Sequence, residues 1–449
     1  MFSNNFRFLL LFLLFRRSAS ELSLSIALIT DTHIGENCTA LTFELCKPMR
    51  NLRDAVSRLN NLHASATPRL DGVFVSGDLT SSALPEQYEM VRELLDDLDV
   101  PFFPLLGNHD SWPYAMDSNG TFTQDDAPNG DKHFVDIFRD IFFPLNRKSR
   151  PDVSTTFTIE HFAESAVPNG DFPGIETWHT NYVVTFAALS NIRFLCMDWV
   201  ARGSAWPYAG VGPEAELHDY ANGTIPFLQA QVEELIGLSG RDNERASAAV
   251  LSQDGDNKEE KWQQRKGWTE SQPPPAPRAF LVQHHPFHNR NLLSPLGRNE
   301  LDPFGLNSNF TFDMRQDERV QEVLAGCDAP NDSSNGKASC QPRLSADTYL
   351  GVAAGHMHRW RRNASAFTRF TGVPEFGFYD ANGSLTGGGL REFETSASKG
   401  WEADEQYTSA VTLLHFKAAS LHDSAELVSA EGMWLLPDGT TWETPPAYQ

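Results

Sequence analysis

Positive charge is scarce in this chain. Lysine and arginine number 36 against 59 aspartates and glutamates, a formal net charge of −23 over 449 residues. A surface of that sign repels nucleic-acid phosphates, so no nucleic-acid partner is expected. It leaves room for phosphate chemistry in a pocket that brings its own cations. Long apolar runs are missing beyond the first twenty residues, so no later transmembrane helix is expected. No internal repeat is present. Cysteine is sparse, at five residues. Cys196 sits in the apolar run 192–199 and reads as an inert buried thiol. The others fall into close pairs, Cys38–Cys46 and Cys327–Cys340. Two local disulfides in an oxidising compartment are predicted, with four unpaired thiols as the alternative.

What is present at the N-terminus fits that compartment. Arg7 precedes the apolar run Phe8–Phe15, and Ser18-Ala19-Ser20 offers a small-residue cleavage site, so 1–20 reads as a secretory signal peptide. Arg16 and Arg17 directly after the run are atypical and keep an uncleaved membrane tether as the alternative. Export, to the outside or to a secretory or vacuolar lumen, agrees with seven N-x-S/T sequons at Asn37, Asn119, Asn222, Asn309, Asn331, Asn363 and Asn382.

The rest of the chain has the 40% hydrophobic share of a protein that buries a sizeable core. An apolar strand over 22–30 is followed by a helical pattern at Leu45, Met49, Leu52, Val56, Leu59 and Leu62. A strand over 71–78, a second helix (Tyr88, Val91, Leu94, Leu95, Leu98) and a strand over 100–106 follow. This alternation predicts parallel strands with helical crossovers. Residues 181–199 read as two strands with a tight turn, and 225–238 as an amphipathic helix. Residues 240–278 are polar, lose periodicity and end in a proline run, which predicts a disordered insert. Strands restart at 278–283 and 348–355. The expected organisation is one main domain over 21–420, with a β segment over 421–449 packed on it or extending it.

Five of these strands end in polar residues that can ligate metal. They are Asp31-Thr32-His33, Gly77-Asp78, Gly107-Asn108-His109-Asp110, His284-His285-Pro286 and Gly355-His356-Met357-His358. Ligands of α/β sheets gather beyond the carboxyl ends of the strands, and glycine there lets the chain turn sharply against a small ion. Each motif alone is weak; Gly-Asp also occurs at 130–131 and 170–171. Five in this order form a strong joint signal.

The series D-x-H, G-D, G-N-H-D, H and G-H-x-H resembles the calcineurin-like metallophosphoesterase superfamily over roughly 24–360. The resemblance implies an α/β fold, a four-layer α/β/β/α sandwich of two mixed sheets, around two metal ions. It assigns Asp31, His33 and His358 to one ion, and Asn108, His284 and His356 to the other, with Asp78 bridging. His284 is preferred to His285 because the family's ligand lies two residues before the proline. Imidazole with carboxylate suits Zn, Mn, Fe or Co. The implied activity is hydrolysis of phosphate mono- or diesters of small molecules, nucleotides or lipid headgroups, with a metal-bridged hydroxide as nucleophile. His109 is implied to be catalytic, by proton donation or transition-state stabilisation, with Asp110 either orienting it or serving only as a turn residue. Ser81 stands where purple acid phosphatases carry a tyrosine ligand, which predicts no tyrosinate–iron colour and closer kinship with phosphodiesterase-like and sphingomyelinase-like branches. Trp112, Pro113, Trp199 and Tyr208 are candidates for an apolar wall against a nucleoside or lipid leaving group, with ordinary packing as the alternative. A non-catalytic, metal-stabilised binding scaffold is the competing function.

Overall fold

The computed structural model describes residues 22–35, 46–66, 69–111, 130–142, 156–160, 166–168, 176–201, 215, 217–253, 276–285, 319–320, 322–326, 343–344, 348–355, 361–363, 392–394, 409–420, 423–435 and 442–443. The N-terminal alternation folds as its pattern predicts. Strands β1 (Leu22–Ile29), β2 (Gly72–Ser76) and β3 (Phe102–Leu105) are parallel neighbours. Helices α1 (Lys47–Ser65) and α2 (Pro85–Leu95) lie between them in sequence. Both helices begin with a proline in the first turn, where the missing N–H leaves no bond unmade. The outermost parallel strand, β3, contains Pro104, which an edge position tolerates. The four-residue helix α3 (Asn108–Ser111) follows β3 directly.

A helix that the strand-and-helix reading above omits, α4 (Gly130–Phe142), packs beside α2. Its signal was legible: Phe134, Val135, Phe138, Ile141 and Phe142 recur at helical spacing and are all buried. Asp131, in one of the stray Gly-Asp pairs, is a structural residue. Its carboxylate accepts the Lys132 N–H (2.7 Å) and the Trp178 N–H (2.8 Å), tying α4 to the short strand β6 (Glu176–Trp178), which pairs with β5 (Ala166–Pro168).

The first sheet is completed by the C-terminal tail. Strands β13 (Ser409–Ala418), β14 (Glu426–Leu435) and β15 (Trp442–Glu443) extend it in the order β15-β14-β13-β1-β2-β3, with β13 antiparallel to β1. The second sheet contains β4 (Phe157–Glu160), β7 (Tyr182–Phe186), β8 (Ile192–Met197), β9 (Arg278–Gln283), β10 (Tyr349–Ala354), β11 (Arg361–Asn363) and β12 (Glu392–Glu394). Its order is β11-β12-β10-β9-β8-β7-β4, and β8, β9, β10 and β12 are parallel.

Side-chain alternation assembles the layers. On β8, Phe194 and Cys196 point into the core shared with the first sheet, whereas Leu195 and Met197 face the opposite cluster. Rings meet across the two sheets: Phe74 with Phe194 at 5.2 Å, Phe103 with Phe186 at 5.6 Å, and Phe416 with Phe280 at 5.4 Å. Each such buried ring contributes about 1.5–3 kcal/mol. α1, α2 and α4 pack with the first sheet. Helix α5 (Thr224–Gln253) covers the outer face of the second with Ile225, Leu228, Val232 and Leu235. Helix, sheet, sheet and helix stack as the expected four-layer α/β sandwich.

α5 corrects the expected boundary of the insert at 240. It continues to Gln253, because the stretch RASAAVLSQ is rich in good helix formers, although it carries no amphipathic period. Cys196 is the expected buried free thiol. Cys38, Cys327 and Cys340 lie outside the described residues, as do residues 1–20. Among the sequons, Asn222 is exposed in a left-handed turn (φ 67°) and Asn363 lies on β11. Asn37, Asn119, Asn309, Asn331 and Asn382 lie outside the described residues. No described helix is long and apolar enough to cross a membrane.

Candidate metal centre

The carboxyl ends of β1, β2 and β3 meet those of β9 and β10 at one rim. His284, one residue beyond β9, donates from Nδ1 to the Ser76 carbonyl at the end of β2 (2.9 Å). Its own carbonyl accepts the Gly355 N–H from the end of β10 (2.9 Å). After β1, the Asp31 N–H donates to Gly77 O (3.0 Å) and the His33 N–H to Asp78 O (2.9 Å), so the first two loops run side by side. Asp31, His33 and Asp78 all adopt left-handed backbone, with φ of 53°, 45° and 49°. Such strain costs on the order of 1–3 kcal/mol per residue and persists where surrounding structure demands it. Two glycines make the approach possible. A Cβ on Gly77 (φ +90°) would lie 2.6 Å from the His284 ring, and one on Gly107 would lie 2.3 Å from Asp78 Oδ1.

Asp78 is the hub. Its Oδ2 stands 3.5 Å from His33 Nε2 and 3.4 Å from His284 Nε2, and its Oδ1 accepts the His109 N–H at 2.9 Å. His33 Nε2 is 3.9 Å from Asp31 Oδ1, and His284 Nε2 is 3.1 Å from Asn108 Oδ1. Two groups of candidate ligands share Asp78: Asp31, Asp78 and His284, and His33, Asp78 and His109. Within each, the ligand atoms lie within 4.8 Å of one another. All are buried except His109, which is half-buried and stands edge-on to the His33 ring at 4.6 Å.

Positive charge is concentrated here. Burial alone would raise the Asp78 pKa, but His284, His109 and His33 around it hold the carboxyl well below the usual range. Burial acts to lower the His284 pKa, yet the Asp78 charge and hydrogen bond, helped by Asp31 and Ser76, push it up to about 10. With Nδ1–H committed to Ser76, Nε2 faces two oxygens, Asn108 Oδ1 and Asp78 Oδ2. The proton on Nε2 supplies the positive charge those buried oxygens require, and a metal ion taking that proton's place would supply it equally. A histidine whose second nitrogen donates to a backbone carbonyl is also how metal-ligating imidazoles are oriented. The residues present therefore fit a metal centre.

His109 and Asp110 part company at this rim. The His109 ring donates from Nδ1 to the Ser81 carbonyl (3.0 Å), which fixes its orientation beside His33. The Asp110 carboxylate accepts the N–H groups of Leu79, Thr80 and Gly107 and the Thr80 hydroxyl, all at 2.9 Å. It thereby clamps the loop after β2 to the loop after β3, and its own carbonyl accepts the Tyr88 hydroxyl. Burial and the nearby Asp78 charge push the Asp110 pKa up to about 7, against the backbone donors that hold it down. Asp110 acts on His109 through the loop whose Ser81 carbonyl holds the ring.

His285 is fully buried, edge-on to the His284 ring at 4.9 Å, and belongs to neither ligand group. His356 and His358 lie outside the described residues, as do Trp112, Pro113 and Tyr208. Trp199 is buried and donates from Nε1 to Gln283, which makes it a packing residue rather than an exposed wall. Sequence reasoning missed Thr30, whose hydroxyl reaches Asp31 Oδ2 at 2.6 Å and Ser76 O at 3.1 Å. It also missed the Ser81 carbonyl. A main-chain contact leaves no trace in residue type, whereas a hydroxyl beside the first aspartate was a usable signal.

A model of the calcineurin-like phosphoesterase family matches residues 24–314. Among curated proteins, a probable glycerophosphodiester phosphodiesterase GpdQ of Arcobacter nitrofigilis is 32% identical over 83 residues, 18% of this chain. The glycerophosphodiester phosphodiesterase GpdQ of Enterobacter lignolyticus is 42% identical over 57 residues, 13% of this chain. The chain spans 29% and 19% of the length of these two relatives. Among solved structures, a dimetal phosphatase from Danio rerio aligns over 90% of this chain and 99% of its own, at 12% identity and a TM-score of 0.38.

Proposed function

The chain belongs to the calcineurin-like phosphoesterase family, and from that premise we propose that it hydrolyses small-molecule phosphate esters, diesters first, at this rim. The observation that carries the reading is the convergence of His284 Nε2, Asn108 Oδ1 and Asp78 Oδ2 in one buried cluster that Asp31 and His33 also enter. In this reading Asp31, His33 and His358 hold one cation and Asn108, His284 and His356 another, with Asp78 between them. Bound there, two cations supply Lewis acidity, neutralising phosphoryl oxygens and acidifying a water near neutral pH.

The remaining work falls to the chain. His109, the most accessible group of the cluster, has Nδ1–H fixed on Ser81 O; in its doubly protonated form the ring passes the Nε2 proton to the departing alkoxide and keeps the one on Nδ1. The Asp110 clamp keeps that ring and Asn108 in register with Asp78. Similarity to one glycerophosphodiester phosphodiesterase and to one probable enzyme of that kind supports diesters over monoesters. The reading of residues 1–20 as an export signal supports a secretory or extracellular compartment for the reaction.

The test is turnover of bis(p-nitrophenyl) phosphate and p-nitrophenyl phosphate by chelator-stripped protein, before and after adding Mn²⁺ or Zn²⁺. Activity restored by metal, and higher on the diester, is the expected result. Absence of metal-dependent turnover across phosphoesters overturns the proposal in favour of a binding scaffold.

A further inference from the structure

Two buried residues outside the ligand set grip the turn that presents His284. The Trp199 indole, just beyond β8, donates from Nε1 to Gln283 Oε1 at 3.0 Å. Gln283, the last residue of β9, donates from Nε2 to the His285 carbonyl at 2.7 Å. The amide is thus satisfied at both ends, and its orientation follows from chemistry, since an indole only donates and a carbonyl only accepts. Gln283 and Trp199 are 0% and 1% exposed, so water cannot replace either bond. β8 and β9 are parallel with Met197 opposite Gln283, which puts the indole-bearing residue alongside the exit of β9.

The consequence lies one bond away. The His284–His285 turn is fixed at three points: the His284 carbonyl on the Gly355 N–H, the His285 carbonyl on Gln283, and the His284 ring on Ser76 O. Together these aim Nε2 at Asn108 and Asp78. We propose that Gln283, braced by Trp199, is a positioning residue that sets the metal affinity of the centre by holding the His284 turn. This rests on the metal-binding reading above. Polar groups that orient a ligating imidazole typically change metal affinity by about 10–100-fold when removed.

The experiment measures Zn²⁺ and Mn²⁺ affinity by competition with a chromophoric chelator, with thermal melting of the chelator-stripped protein alongside. The proteins are wild type, Gln283→Met, Trp199→Phe, the double variant, and Tyr349→Phe. Tyr349 is a buried control whose hydroxyl donates to Leu324 O (2.7 Å) at the opposite end of β10. Gln283→Met is expected to weaken metal binding 10–100-fold, and Trp199→Phe less but in the same direction. The double variant should match Gln283→Met, because the indole acts through the amide. Tyr349→Phe should lower melting without changing affinity. Should Gln283→Met fail to fold, Trp199→Phe, which removes the N–H together with one ring of the indole, decides alone by its metal affinity, since the cavity it leaves lowers melting as Tyr349→Phe does. Metal affinity of folded variants within threefold of wild type overturns the inference while leaving the metal centre intact. Wild-type protein that takes up no divalent ion overturns both.

Discussion

Replacing Gly77 with alanine tests whether the rim is built for close approach. The new Cβ would sit 2.6 Å from Cγ and Nδ1 of His284, on backbone with φ +90°. Ordinary contacts between such atoms are about 3.5–4.0 Å, so the ring must retreat by about 1 Å. Left-handed backbone costs an alanine about 1–2 kcal/mol. Overpacking adds roughly 1–3 kcal/mol. The retreat also pulls Nδ1 from Ser76 O and Nε2 from Asn108 Oδ1, now at 2.9 and 3.1 Å. Metal affinity should fall at least tenfold, and diester turnover at saturating metal by about 10², the cost of a 1 Å misplacement. Gly237→Ala is the internal control. Gly237 lies inside α5 with nothing within 4 Å of an added Cβ, so alanine there should stabilise by about 0.5–1 kcal/mol. Chelator competition, melting and steady-state kinetics on both variants complete the comparison. If Gly77→Ala melts, binds metal and turns over like Gly237→Ala, the close-approach argument is wrong.

His109→Ala should cut turnover by about 10²–10⁴ and leave metal content unchanged by elemental analysis; loss of metal together with activity would make His109 a ligand instead. A separate prediction concerns stability away from the centre. Burial raises the Asp71 pKa above the usual carboxylate value, against the Ser25 N–H it accepts and the nearby His63 charge. A carboxyl with a raised folded-state pKa contributes full stability below its unfolded value and loses that contribution as pH rises through the folded value. Asp71→Asn keeps an acceptor for Ser25, so it should raise the melting temperature at pH 7 and leave it unchanged near pH 3. Scanning calorimetry at the two pH values checks this, and equal shifts at both would contradict it.

Much of the fold was legible because period and punctuation act locally. The apolar alternation at 22–30, the three-and-four spacing of α1 and the run 278–283 each specify an element without reference to the rest of the chain. Helix α5 runs past 240 on intrinsic propensity alone, where no period marks it, whereas α4 carries five apolar residues at helical spacing that are as legible as those of α1. The tail was recognised as β structure, but its place beside β1, against the N-terminal strand, follows from pairing across almost 400 residues.

By itself, the sequence determined the residue types at the strand ends and, through the parallel crossovers, that these ends share one side of a sheet. Only the tertiary structure decided that the rims of two separate sheets close on one another, with His284 reaching Ser76 and Asp78 from 208 and 206 positions away. It also decided that Asp110 grips the backbone rather than the His109 ring, and that an indole and an amide stand behind His284. The reason is physical. Side-chain chemistry is written residue by residue, whereas hydrogen bonds to main-chain groups depend on where distant loops pack, and any residue type can supply those groups.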